Sequence, residues 1–193
     1  MSRLQQTLEA LLDSFAAKAK SLTVGNPRTS QVVLGSLISR DAVTRVQTLV
    51  REAVEQGAQI AAGGNANDTF MEATVIDHVT PAMRIYSEES FGPSVSIIRV
   101  KGEDEAVRVA NDTQYGLSAA VITRDITRGL RVARRIESGI CHINGPTVQD
   151  EAQMPFGGVK DSGYGRFGGR AGIEAFSETR WITIETETPH FPF

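Results

Sequence analysis

Two stretches of this chain hold residue types that chemistry uses. The first is Glu88-Glu89-Ser90-Phe91-Gly92-Pro93, two carboxylates and an aromatic ring just before a Gly-Pro turn. A carboxylate two residues from a phenyl ring can meet a polyhydroxylated ligand with both groups. Its oxygens accept hydrogen bonds from hydroxyls, and the ring lies against a flat heterocycle. The same six residues also read as a charged loop whose phenylalanine fills the core. The second stretch runs from Gly145 to Gly169 and is the least regular part of the sequence. A loop this long inside a compact domain is usually functional. Within it, Gly163-Tyr164-Gly165-Arg166-Phe167-Gly168 fits G-x-G-x-x-G. That fingerprint needs a strand directly before it and a substantial helix after it, whereas a long loop precedes here, so dinucleotide phosphate binding by these glycines is a weak reading.

The remaining reactive side chains are few. Cys141 is the single cysteine, which excludes an internal disulfide and fits a reducing compartment, with cytoplasm as the default. It falls in a strand pattern, where His142 points to the opposite face and cannot serve it as a base. Cys141 therefore reads as a buried structural cysteine. His78, His142 and His190 are too scattered to suggest a metal site. Glu88 reads as a solvated or structural carboxylate, Glu151 as a hydrated loop acid, Arg166 as an anchor for the glycine loop's carbonyls, and Lys160 as a surface charge.

These groups must be positioned by ordinary globular structure. At 193 residues, the expectation is one domain of ordinary size, with or without an appendage, long enough to bury a sizeable core. Hydrophobic residues at 40% and charged residues at 22% place the chain among globular proteins. A net charge of -3 gives no electrostatic case for nucleic acid or an anionic membrane. No apolar run approaches a membrane span, and Arg3 is not followed by the apolar core of a secretory signal.

Leu4, Leu8, Leu11, Leu12, Phe15, Ala16 and Ala19 predict an amphipathic helix over 3–20, stopped by Gly25-Asn26-Pro27. Ser39 predicts an N-cap for a helix from about 41 to 56, ended by Gly57. Strands are expected at 58–62, 74–76, 95–100, 119–123, 140–144 and 181–185. Helices are expected at 103–111 and from the Asp125 cap to near Gly139. Residues 63–68 carry turn chemistry. Strand, helix, strand, helix, strand over 95–144 implies right-handed crossovers and a parallel sheet covered by helices. The tail after Glu185 reads as a surface extension. No repeat and no low-complexity linker divides the chain.

Four ordered blocks resemble the NAD(P)-dependent aldehyde dehydrogenases. They are Glu88 to Pro93; Ala110-Asn111 with Tyr115-Gly116-Leu117-Ser118-Ala119; Gly139-Ile140-Cys141-His142-Ile143-Asn144; and Pro155-Phe156-Gly157-Gly158-Val159-Lys160-Asp161-Ser162-Gly163-Tyr164-Gly165-Arg166. Val24-Gly25-Asn26-Pro27 and the helix before it are similar as well. Within the family, Ile140 to Gly169 looks most like the enzymes for salicylaldehyde, vanillin and benzaldehyde. Ser36, Ala73 and Phe167 stand where many members have proline, proline and glutamate.

The resemblance implies an α/β fold, a partial open parallel sheet with helices on both faces. Residues 1–178 would be the C-terminal portion of a catalytic domain, and 179–193 an oligomerisation strand and tail. Glu89 resembles the glutamate that binds the nicotinamide ribose hydroxyls, and Phe91 the aromatic residue beside the nicotinamide ring. Phe156 and the loop 145–155, with Gln149, resemble the wall of an aldehyde tunnel. The implied cofactor is NAD or NADP, the implied substrate a small aldehyde, and the implied assembly a homo-oligomer or a pairing with another aldehyde dehydrogenase chain. The family's nucleophilic cysteine, its oxyanion asparagine, its water-activating glutamate and its Rossmann-like cofactor domain fall upstream of residue 1. The chain is thus expected to be a segment of an aldehyde-oxidising enzyme, inactive alone. The alternative is a non-catalytic interaction protein or vestigial fragment that self-associates or pairs with an intact aldehyde dehydrogenase.

Overall fold

A computed structural model describes residues 3–187 and His190, with side chains from Leu8 onward. The expected surface extension beyond Glu185 lies largely outside these residues. The chain separates into two compact units, with the boundary between Lys101 and Gly102.

The first unit contains α1 (Arg3–Lys20), α2 (Arg40–Glu55), β1 (Gln59–Ala62), β2 (Ala66–Asn67), β3 (Phe70–Met71), β4 (Thr74–Asp77), α3 (Arg84–Ser87) and β5 (Ser94–Ser96). The Ser39 hydroxyl accepts from the Ala42 N–H and caps α2, as the sequence predicts. β4 is the central strand of the order β1-β4-β5, antiparallel to β1 and parallel to β5. All four of its residues are buried, because alternate side chains enter two different cores. Ile76 packs with Val46, Leu49, Val50 and Ala53 of α2, and Val75 with Ala16 of α1 and Ala62 of β1. Helices thus cover both faces of this sheet, as expected. A tight hairpin, β2 with β3, occupies part of the stretch read as turn, and places Asp68 at φ 56°.

The polar fastening of this unit is a triad. Arg99 donates to Asp77 at 2.6 and 3.1 Å and to Glu9 at 2.5 Å, tying α1 to the end of β4. The expected strand over 95–100 is shorter. Pairing with β4 ends at Ser96, after which Ile97 accepts from Val79 and Arg99 turns to the triad.

The second unit contains α4 (Glu103–Asn111), β6 (Tyr115–Gly116), β7 (Ser118–Val121), α5 (Ile126–Ala133), β8 (Ile140–Ile143), β9 (Val159–Lys160) and α6 (Gly169–Ala175). β7 and β8 run parallel in register from Ser118↔Ile140 to Val121↔Ile143, and β6 pairs antiparallel with β9. The sheet expected across 95–144 is therefore partial. β5 belongs to one sheet and β7 to another, and only the β7–α5–β8 crossover joins parallel neighbours. α5 begins at the Asp125 cap, whose carboxylate accepts from the Arg128 N–H, and ends at Ala133 rather than near Gly139. Residues 181–185 form no strand, because no segment among the described residues pairs with them.

Candidate functional site

In the first unit, the turn after α3 is built by α2. Arg45 donates from Nη1 to the Glu89 carbonyl at 2.8 Å and from Nη2 to the Ser90 carbonyl at 2.6 Å. Gly92 sits so close to α2 that a Cβ there would lie 2.7 Å from Val46 Cγ2, which leaves room for glycine alone. Between these grips Phe91 takes φ 48°, a left-handed conformation that costs a bulky residue about 1–2 kcal/mol. Its ring is 77% exposed, so core packing does not offset that cost and the core-filling reading of Phe91 fails. The Glu89 side chain is exposed and has no partner among the described residues. Glu88 is different. It is bonded by Arg84 at 2.8 Å, stands 4.0 Å from Arg45, and shares Arg84 with Glu52 of α2. Its reading as a structural carboxylate holds. The turn therefore presents one unpartnered carboxylate and one exposed ring, two residues apart, on a braced main chain.

In the second unit, Gln149 and Phe156 share the long loop after β8. That loop folds back over the sheet, with the Ser118 hydroxyl donating to the Thr147 carbonyl at 2.9 Å. Gln149 is exposed. Its Oε1 would lie 3.3 Å from a Cβ at Gly145, and the same Cβ would lie 3.4 Å from His142. Phe156 is half-buried and pairs with Phe167 through both backbone N–H groups at 2.7 and 2.8 Å. Arg166 donates to the carbonyls of Gly158 and Gly165, both at 2.7 Å, which is the anchoring role expected of it.

Lys160 is not a free surface charge. Its Nζ donates to the carbonyls of Asn111 and Thr113 at 2.8 and 3.1 Å and pairs with Glu137 at 2.8 Å. It thereby satisfies the C-terminal end of α4, where a cation is favoured. Nothing in the sequence around Lys160 signals this partner, which lies 49 residues away. Arg45 was equally invisible, because its targets are main-chain carbonyls.

The glycines at 163–168 do not form a phosphate cradle. A Cβ at Gly168 would lie 2.3 Å from the Met154 carbonyl oxygen and 3.1 Å from that of Ala152, so oxygens rather than N–H donors crowd the loop. The helix that follows is only seven residues long.

Cys141 is half-buried rather than buried, and burial pushes its thiol up, away from the thiolate. Gly129 of α5 packs on Ile143, so Cys141 faces the α5 side of the strand and His142 the other. The His142 Nε2 is buried with no partner, alone among side-chain polar atoms of the described residues. No group of metal-binding side chains is present among those residues, and none of their helices is long and apolar enough to cross a membrane.

This α/β fold is shared with known proteins. Residues 4–182 match the model of the aldehyde dehydrogenase family, and the chain belongs to that family. Among its relatives is a vanillin dehydrogenase of a Pseudomonas species, 50% identical over 184 residues, covering 95% of this chain and 38% of the relative. A benzaldehyde dehydrogenase (NAD(+)) of Pseudomonas putida is 42% identical over 182 residues, 94% of this chain and 37% of the relative. The crystal structure of a Pseudomonas putida salicylaldehyde dehydrogenase, complexed with salicylaldehyde, superposes with a TM-score of 0.91 at 46% identity, covering 97% of this chain and 39% of that one. The chain spans about 38% of the length of the curated relatives it matches.

Proposed function

We propose that these residues form part of an enzyme that oxidises an aromatic aldehyde to its carboxylic acid with NAD(P)+. The observation that carries this reading is the turn 88–93, where Glu89 is unpartnered and Phe91 exposed on a main chain held by Arg45. The pair fits the nicotinamide end of a dinucleotide. Glu89 oxygens can accept from ribose hydroxyls, and the Phe91 face can cover a flat ring. When bound, the dinucleotide supplies the hydride acceptor. Phe156 and the loop 145–155, with Gln149, line the aldehyde's path, Phe156 offering an apolar face and Gln149 an amide. In the overall balance, the aldehyde carbon gives up its one hydrogen as hydride to NAD(P)+ and gains an oxygen from water, and the water releases a proton.

In this proposal the nucleophile is a cysteine outside these 193 residues. Cys141 is poorly suited to the work, since burial disfavours its thiolate and His142 faces the other side of β8. The purified chain, given NAD+ or NADP+ with salicylaldehyde, vanillin or benzaldehyde, is expected to show no turnover above blank and no acyl adduct on Cys141 by mass spectrometry. Either signal would place the chemistry within the chain after all. Fused behind the cysteine-bearing and cofactor-binding segments of a salicylaldehyde dehydrogenase, the chain is expected to restore oxidation. A soluble, folded but inactive fusion would count against the whole reading.

A second reading, a non-catalytic chain that self-associates, draws support from exposed apolar surface. Phe176, Trp181, Ile182 and Ile184 are all largely exposed. β5 is an edge strand beside a groove of about 300 Å³ lined in part by Phe15, Leu22, Leu34 and Val95.

A further inference from the structure

We infer that Arg45 is a positioning residue for the nicotinamide contacts, acting through the backbone of residues 89–91 rather than on any ligand. The inference rests on the reading of Glu89 and Phe91 as cofactor residues. Its geometry is independent of that reading. The two N–H groups of one guanidinium reach two consecutive carbonyls, at 2.8 and 2.6 Å, immediately before a left-handed phenylalanine. A planar fork can hold two acceptors at once, and each bond is charge-assisted. Val46, the next residue of α2, closes on Gly92 from the same helix turn. The strained Phe91 is thus bracketed by adjacent residues of one helix. A strained conformation persists only where its surroundings over-determine it.

Two further features fit a lock rather than a simple staple. The Arg45 charge stands near Glu88, which Arg84 already holds at 2.8 Å, so Glu88 leaves the guanidinium free to serve the carbonyls. The groups that the lock aims, Glu89 and Phe91, make no use of their position within this chain. Their side chains are exposed, and the Glu89 carboxylate has no partner among the described residues. The unit holds a costly geometry whose beneficiary is a ligand.

The test uses the isotopically labelled 193-residue chain and its Arg45→Met and Arg45→Lys variants. The one-bond Cα–Hα coupling of Phe91 reports positive φ. It is expected to shift toward the common negative-φ value in Arg45→Met, with Arg45→Lys between, since lysine keeps the charge but lacks the planar fork that reaches each carbonyl from its own nitrogen. Exchange of the Ser94 N–H, bonded to the Gly92 carbonyl at 2.7 Å, is expected to quicken about tenfold, while Ile76 in the central strand keeps its protection. An unchanged Phe91 coupling in Arg45→Met, or equal loss of protection at Ser94 and Ile76, would overturn the inference by showing no lock or a general staple. Saturation-transfer measurements with NAD+, made on the chain fused behind the cofactor-binding segments of a salicylaldehyde dehydrogenase, then separate the two layers. Signal at the nicotinamide ribose protons in the fusion, lost in its Arg45→Met variant, supports both. Adenine but no nicotinamide ribose signal in the fusion, with the coupling shift as expected, counts against the cofactor reading and leaves the backbone lock standing.

Discussion

Asp77 is nearly sealed from water at the end of β4, and its charge is tolerated only because Arg99 reaches it twice. Burial by itself favours the neutral acid. The hydrogen bonds from Arg99 and from the His78 N–H, with the Arg99 charge, outweigh burial and hold the carboxyl below its ordinary range. Glu9 is held low mainly by its hydrogen bond from Arg99, and Glu103 mainly by its bond from Arg128. A folded-state pKa below the unfolded one gives stability that is fully present above about pH 4, where unfolded carboxylates ionise. It is lost as pH falls through the lowered folded values. Arg99→Met leaves Asp77 buried without its arginine and with only its His78 contacts, and is expected to cost about 3 kcal/mol in urea unfolding at pH 7. The gap from the native chain should narrow as the pH is taken below about 4. A gap that stays constant with pH would mean that Asp77 is not the group that titrates.

At the scale of elements, the contact between α2 and the turn 88–93 sets both shape and strain. Gly92→Ala pushes a methyl against Val46 Cγ2, which starts 2.7 Å away, and is expected to destabilise by about 1–3 kcal/mol. Val46→Ala makes room but opens a cavity, because Val46 is fully buried. The double variant should therefore cost less than the sum of the two singles, and strict additivity in denaturant titrations would mean that the two residues do not press on each other. Lys160→Met removes the donor from the end of α4 and is expected to cost about 1 kcal/mol. Its signature is faster amide exchange confined to the last turn of α4, with β7 and β8 unaffected.

The helices and their caps were legible because their signals are local. Ser39 and Asp125 mark their own helix starts, and the apolar spacing of α1 and α2 is written within each segment. The Glu89–Phe91 pair was legible as residue types and as a family resemblance. What made it a braced turn was not, because Arg45 lies 44 residues away in sequence and meets carbonyl groups that every residue carries. The same holds for Lys160. The short α3 and α6 lack an N-cap side chain, which hid them. The strand expected at 181–185 shows the opposite failure. Trp, Ile, Thr, Ile and Glu have strand propensity, yet a strand exists only where a neighbour supplies its hydrogen bonds.

At the scale of the molecule, that unmet demand predicts behaviour in solution. Trp181 is 88% exposed and Ile184 84%, and the segment between them pairs with no strand among the described residues. Apolar surface buried on association contributes roughly 25 cal/mol per Å², and two or three such side chains on each of two copies give a strong incentive to meet. The backbone adds its own incentive, since an edge strand such as β5 carries free ladder groups that a segment of strand propensity such as 181–185 can pair with. The net charge of -3 is too small to keep copies apart at physiological salt. The chain is therefore expected to self-associate at tens of micromolar by light scattering after size exclusion. A Trp181→Glu, Ile184→Glu double variant should shift it to monomer with unchanged circular dichroism, because neither side chain supports either core. A native chain that remains monomeric at high concentration would show that the exposed segment is tolerated without a partner, and would remove the main support for the non-catalytic reading. Association that survives the double variant would instead direct attention to the β5 edge and its groove.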